Sequence, residues 1–210
     1  TTNGSIEMYA LNAIGNAGEL QAEQGHISLH AVNGVLYNDA NATMLSKGGN
    51  IELLSDKNNV TNRSGANLVS VGGTVTLHAG EGNVDNAGDL VALGGQIVLQ
   101  SDKGNVTNSD NFNTMYSNGA QNDKFDGKDI TTGSITMSTE HGKVINNVDL
   151  EAGKDVTIIA EEGLTNFSYK IFAGEDITLT ATAGNLVNTS TLESVKGDIT
   201  LTAEHGNVIN

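Results

Sequence analysis

The chain has 210 residues, with no Cys, Pro or Trp and only four Phe and four Tyr. Without Cys there is no disulfide framework and no thiolate metal site, and a core must be built from Ile, Leu, Val and Ala. The 25 acids against 10 bases leave a formal charge of −15, which disfavours nucleic acid and anionic membranes as partners because both need a basic footprint.

The first predicted element is a strand. Ile6, Met8 and Ala10 alternate with Glu7 and Tyr9, a period of two that puts one face inward. Eight more copies follow, led by Ile27-x-Leu29, Ile51-x-Leu53, Val75-x-Leu77, Ile97-x-Leu99, Ile135-x-Met137, Val156-x-Ile158, Ile177-x-Leu179 and Ile199-x-Leu201. The next inward position is always small, from Ala10 and Ala31 through Ser55, Ser101 and Thr139 to Ala203.

A corner follows each strand. Gly34, Gly82, Gly104, Gly142, Gly184 and Gly206 occupy it, with Asn12 and Asn58 in two other copies. Gly and Asn both tolerate a left-handed backbone, so a tight left-handed turn is expected there. Two residues later stands an apolar residue, and two after that an asparagine. The asparagines are Asn16, Asn38, Asn62, Asn86, Asn108, Asn146, Asn166, Asn188 and Asn210, spaced 22, 24, 24, 22, 38, 20, 22 and 22. A third apolar column holds Leu20, Leu68, Leu90, Leu150, Ile171 and Leu192, and glycine-rich turns lead into the next copy.

A repeat near 22 residues with short strands and no helical period is one supersecondary unit, too small to bury its own apolar face. Stacked copies bury a shared one. The expected fold is all-β: one parallel β-helix, or solenoid, of about nine coils spanning residues 1–210, with one inserted loop at residues 109–132. Coils about 4.8 Å apart make a rod roughly 40 Å long and place the nine asparagines in an amide ladder. The lack of Pro fits long uninterrupted hydrogen-bond ladders. The pattern starts and stops in mid-coil, so an excised piece of a longer chain is expected.

The phrases GDITLTAEHGNVIN (Gly197–Asn210), GEDITLTATAGNLVN (Gly174–Asn188) and GEGNVDNAGDLVALGGQIVL (Gly80–Leu99) resemble the filamentous haemagglutinin repeat of large two-partner-secretion exoproteins of Gram-negative bacteria. That family includes filamentous adhesins and the carriers of contact-dependent growth inhibition toxins. The resemblance covers Thr1–Asn108 and Gly133–Asn210. It implies a right-handed helix, exported unfolded through an outer-membrane transporter and displayed outside the cell or on its surface. It implies a structural and adhesive segment, whose partner is a target-cell receptor or glycan. An alternative within the family is the receptor-binding segment of a toxin carrier. The family's secretion domain carries Asn-Pro-Asn motifs, which a proline-free chain lacks, so an interior part of the stalk is implied.

The 38-residue interval holds Ser109–Thr132, with Phe112, Met115, Tyr116 and Phe125. Exposed aromatics on a loop supply contact area for a partner, and these four residues are the candidate partner-binding set. The other reading has them folding back over the solenoid. A second aromatic cluster, Phe167, Tyr169 and Phe172, offers a platform for the insertion.

No catalytic, cofactor or metal site is read from the sequence. The repeated Glu-His-Gly at Glu140–Gly142 and Glu204–Gly206 suggests acid–base chemistry, but its column also holds Leu11, Asn33, Lys57, Glu81, Lys103 and Ala183, as a solvent-exposed turn does. Asp123, Asp126 and Asp129 with Gly127 miss the calcium-loop spacing. A polysaccharide-active β-helix enzyme would need carboxylates converging in a groove, and the acids here are scattered. Thr136, Thr157, Thr178 and Thr200 share one outward column, as β-branched residues do on a pleated surface.

Overall fold

Short alternating strands cannot stand alone; each needs a neighbour for its backbone and a second sheet for its apolar face. In a computed structural model describing residues 1–109, 115–117 and 132–210, both are supplied by the next coil of the same chain. Each coil runs through three sheets in turn. The first stacks nine strands in order, from Ile6–Ala10 to Ile199–Ala203. The second stacks nine, from Ile14–Asn16 to Val208–Ile209, and the third eight, from Glu19–Ala22 to Thr191–Ser194. Every pairing is parallel, and no helix occurs among the described residues. The molecule is therefore a parallel β-solenoid of about eight turns with a period of about 22 residues.

Register puts like on like. Ile27 pairs with Ile51, Leu29 with Leu53, Val84 with Val106 and Leu68 with Leu90. These columns are buried through the middle coils and part-exposed at the outermost ones, as at Met8 and Ile199. Burying each such side chain contributes about 1.5–3 kcal/mol, so the columns supply most of the driving force.

The asparagines form the expected ladder. Each Nδ2 donates to Oδ1 of the next: Asn16 to Asn38 at 2.9 Å, then to Asn62, Asn86, Asn108, Asn146, Asn166, Asn188 and Asn210 at 2.7–3.0 Å. The ladder runs straight past the long interval, since Asn108 bonds Asn146 at 2.8 Å.

Two expectations need correction. The corner glycines do not adopt a left-handed backbone: among the described residues the glycines with positive φ are Gly65, Gly133 and Gly163. The corner needs glycine because coils pack backbone on backbone. A Cβ on Gly104 would fall on the carbonyl oxygen of Gly82, and one on Gly142 on that of Gly104. In one coil Glu162 stands at the corner and the glycine comes one residue later, and there Gly163 has φ 149°, a local change of backbone.

The second correction concerns residues 109–132. Met115–Ser117 is a regular strand of the third sheet, paired with Leu90–Ala92 on one side and Leu150–Ala152 on the other. The insertion is thus divided by a core strand. The third apolar column is completed by Met44 and Met115, both buried.

Breaking the ladder in its middle removes two bonds and strands two buried partners. Asn86→Ala is expected to cost about 2–6 kcal/mol, at about 1–3 kcal/mol for each of the two stranded groups. Asn16→Ala, at the outermost rung, is expected to cost about 1 kcal/mol. Urea denaturation of both variants checks the ordering; equal midpoint shifts contradict it.

Candidate functional site

Two further polar ladders, absent from the sequence reading, hold the corners. Where the chain turns into the second sheet, Asn59, Asn83, Asn105 and Asn185 each accept, on Oδ1, the backbone N–H of the equivalent residue one coil on, at 2.8–2.9 Å. Where the chain enters the first sheet, the side-chain oxygens of Ser5 (Oγ), Thr74 (Oγ1), Asn50, Asp155 and Asp176 (Oδ1) accept the equivalent N–H one coil on, at 2.7–3.3 Å. The inward Ser residues are satisfied across coils too. Ser70 Oγ donates to the Gly49 carbonyl at 2.8 Å and accepts the Gly73 N–H at 3.0 Å. The signal for the first ladder was present in the repeated Gly-Asn-Val and Gly-Asn-Leu corners.

Of the predicted partner-binding set, Met115 and Tyr116 fall in a strand of the third sheet. Met115 is 1% exposed, in the core column, so its side chain is not available to a partner. Tyr116 lies in the same strand, opposite Val91 and Glu151. Phe112 and Phe125 lie outside the described residues, as do Asp123, Asp126 and Asp129.

The second aromatic cluster separates into two parts. Phe172 is 5% exposed, with the Lys170 ammonium 4.9 Å from its ring centre. Phe167 and Tyr169 are 56% and 89% exposed. Their turn is fixed from below: Asp149 Oδ1 accepts the N–H groups of Tyr169 and Lys170, both at 2.8 Å, and the buried Ser168 hydroxyl donates to Asn166 Oδ1 at 3.1 Å.

The histidines bridge coils. His30 Nε2 lies 2.9 Å from Asp56, His78 Nε2 2.9 Å from Asp102, and His141 Nδ1 2.9 Å from Glu161. His205 is exposed at the outermost coil. The two Glu-His-Gly corners are not brought together. His26 stands between Ser5 Oγ at 2.8 Å and Glu7 Oε1 at 3.2 Å, a nucleophile–base–acid order. Ser5 Oγ also accepts the His26 N–H at 3.2 Å, the bond that the polar side chains of other coils make at that place, and the Glu7 side chain is 72% exposed. The ladder accounts for the arrangement. Among the described residues no group of three His, Asp or Glu side chains could hold a metal ion.

Four further ion pairs join coils: Lys47 with Glu23 at 2.9 Å, Lys103 with Glu81 at 3.0 Å, Lys170 with Glu193 at 2.7 Å and Arg63 with Asp39 at 2.7 Å. Arg63 also lies 4.6 Å from the Tyr37 ring centre. Exposed pairs of this kind contribute about 0–1 kcal/mol each. The Lys47 ammonium holds the Glu23 carboxyl below the usual carboxylate range, assisted by Gln21. The Ala40 N–H, with Arg63 second, does the same for Asp39. Asp85 goes the other way, pushed up by burial between Thr61 and Thr107.

An open groove of about 750 Å³ crosses the first four coils where the third sheet turns into the first. Its sides carry Gln24, His26, Ser28, Asn50, Glu52 and Thr76, and its floor includes the backbone of Gly25, Gly48, Gly49 and Gly72.

Comparisons with protein-family models, with curated proteins and with solved structures gave no match for this chain.

A carboxyl whose folded pKa is raised stabilises the fold only when protonated. Its cost appears as pH rises from the ordinary Asp range through the raised value, and persists above it. Asp85→Asn is therefore expected to raise the melting temperature at pH 7, with the gain vanishing below about pH 3, under the ordinary Asp range. Thermal melts at the two pH values check this; an equal gain at both contradicts it.

Proposed function

We propose that this chain is a stalk segment of a large secreted exoprotein of the two-partner-secretion type, extending distal parts of that protein from the bacterial surface toward a target cell. The reading is supported most by the unbroken axial register: eight amide links and three stacked sheets repeat one layer nine times in the first two sheets. Such a layer adds length without changing cross-section, which is what a spacer needs. The absence of Cys fits export of an unfolded chain, and coil-by-coil folding outside would make that export directional. The role is structural and adhesive, with no enzymatic chemistry assigned to it.

A second reading, the receptor-binding segment of a contact-dependent growth inhibition carrier, is favoured by one feature. Phe167 and Tyr169 stand exposed on a turn fixed by Asp149 and Ser168, and rigid exposed aromatics are the anchors that protein interfaces use.

The test is to insert residues 1–210 into the stalk of a two-partner-secreted exoprotein. Surface display is expected to persist, and electron microscopy is expected to show filaments lengthened by roughly 40 Å, at about 4.8 Å per coil. Retention inside the cell, or display without lengthening, contradicts the stalk reading. Loss of target-cell binding on Phe167→Ala with Tyr169→Ala, with export intact, would favour the second reading.

A further inference from the structure

We propose that the groove across the first four coils binds an uncharged oligosaccharide of extended, β-linked hexoses laid along the solenoid axis. The inference stands apart from the stalk reading, because it concerns a site on this chain alone.

The lining selects the ligand class. Gln24, Ser28, Asn50, Glu52 and Thr76 face the groove. These are hydrogen-bonding groups with little apolar surface between them, suited to hydroxyls and poorly suited to an apolar peptide. Glu52 lies in the groove, and Glu7 stands against its one basic side chain, His26, with 3.2 Å between Glu7 Oε1 and His26 Nε2. Phosphate, sulfate or uronate groups would meet carboxylates there without a free cation to offset them, and the formal charge of −15 opposes anions at longer range.

The spacing selects the chain type. Ser28, Glu52 and Thr76 are direct Cα partners on three consecutive coils. They repeat at the strand spacing of about 4.8 Å, close to the advance per ring of an extended β-linked hexose chain. Successive rings of such a chain turn alternate edges to the groove, and each edge sets hydroxyls opposite one of these polar side chains, of which Ser28 Oγ also donates to Glu52 Oε2 at 3.5 Å. A coiled α-linked chain loses this match after one or two rings.

The groups are also held in place. Asn50 Oδ1 accepts the Thr74 N–H at 2.9 Å, which fixes the amide and leaves Nδ2 without a partner among the described residues. Below it coil lies closely on coil. A Cβ on Gly25 or Gly48 would run into the preceding coil, and a Cβ on Gly49 would press on Gly25 at 3.0 Å. Donors fixed before binding lose little freedom on binding.

The test is calorimetric titration of the intact chain with a β-1,4-linked glucose hexamer and its α-1,4-linked isomer. The β-linked hexamer is expected to bind at least about tenfold more tightly. Asn50→Asp keeps the oxygen that caps Thr74 and loses the Nδ2 donor. It and Glu52→Ala are each expected to weaken binding about five- to tenfold, one hydrogen bond's worth. Thr178→Ala, on a distant coil of the same sheet, is expected to change nothing, and circular dichroism of all variants to match the parent. Absence of saturable binding by the β-linked hexamer, equal affinity for the two hexamers, or binding unchanged in both groove variants overturns the proposal.

Discussion

The asparagine ladder is the constraint on which the rest of the structure depends. A one-residue slip of a coil over its neighbour turns the apolar face outward, whereas a two-residue slip keeps Ile, Leu, Val and Met facing inward, so apolar packing alone discriminates weakly against it. The coil cannot slide without breaking a buried amide bond. Asn62, for example, is fully buried, donates to Asn86 and accepts from Asn38. A slipped register strands both groups, at about 1–3 kcal/mol each. The apolar columns therefore drive collapse, and the ladder selects one register from those of similar packing energy.

Close approach of the coils then dictates the corners. Strand spacing leaves little room for a side chain where backbone lies on backbone, which is why Gly82, Gly104 and Gly142 recur at one corner, with Asn58 in their place in one middle coil. Turns expose N–H groups that a ladder between flat strands would satisfy. Side-chain oxygens replace those partners, from Asn83 and Asn105 at one corner and from Asn50, Thr74 and Asp155 at another. Many polar side chains of this chain serve as inter-coil bonds, and so do four of its five histidines, His26, His30, His78 and His141.

Much of this was legible in the sequence because the period is visible as columns. The strands, the two inward apolar columns of the first sheet and all nine ladder asparagines follow from alternation and spacing alone. Met44 and Met115 did not, for a physical reason. The corner before the third sheet varies in length, so Leu20 stands four residues after its asparagine, Met44 six after Asn38 and Met115 seven after Asn108. The variable corner blurs the column: Leu68, also six after its asparagine, was placed in it, but Met44 was passed over and Met115 was read as a loop residue. The corner glycines were located correctly with the wrong cause attached, since sequence shows that a side chain is absent and only packing shows what it would strike. The groove could not be read at all. It joins residues of four coils that are about 24 positions apart and share no motif.

The proposed stalk role and the proposed glycan groove place different demands on the same solenoid. The stalk needs only faithful repetition of the layer, while the groove needs particular occupants at a few outward positions, which repetition leaves free to vary. Both rest on the claim that buried amides lock each coil to the next, and hydrogen exchange of the asparagine side chains measures that directly. The Nδ2 protons of Asn38, Asn62, Asn86 and Asn166 should exchange orders of magnitude more slowly than those of the exposed Asn33, because release requires opening of the stack. Exchange at the rate of Asn33 would mean that the ladder does not hold the coils in register.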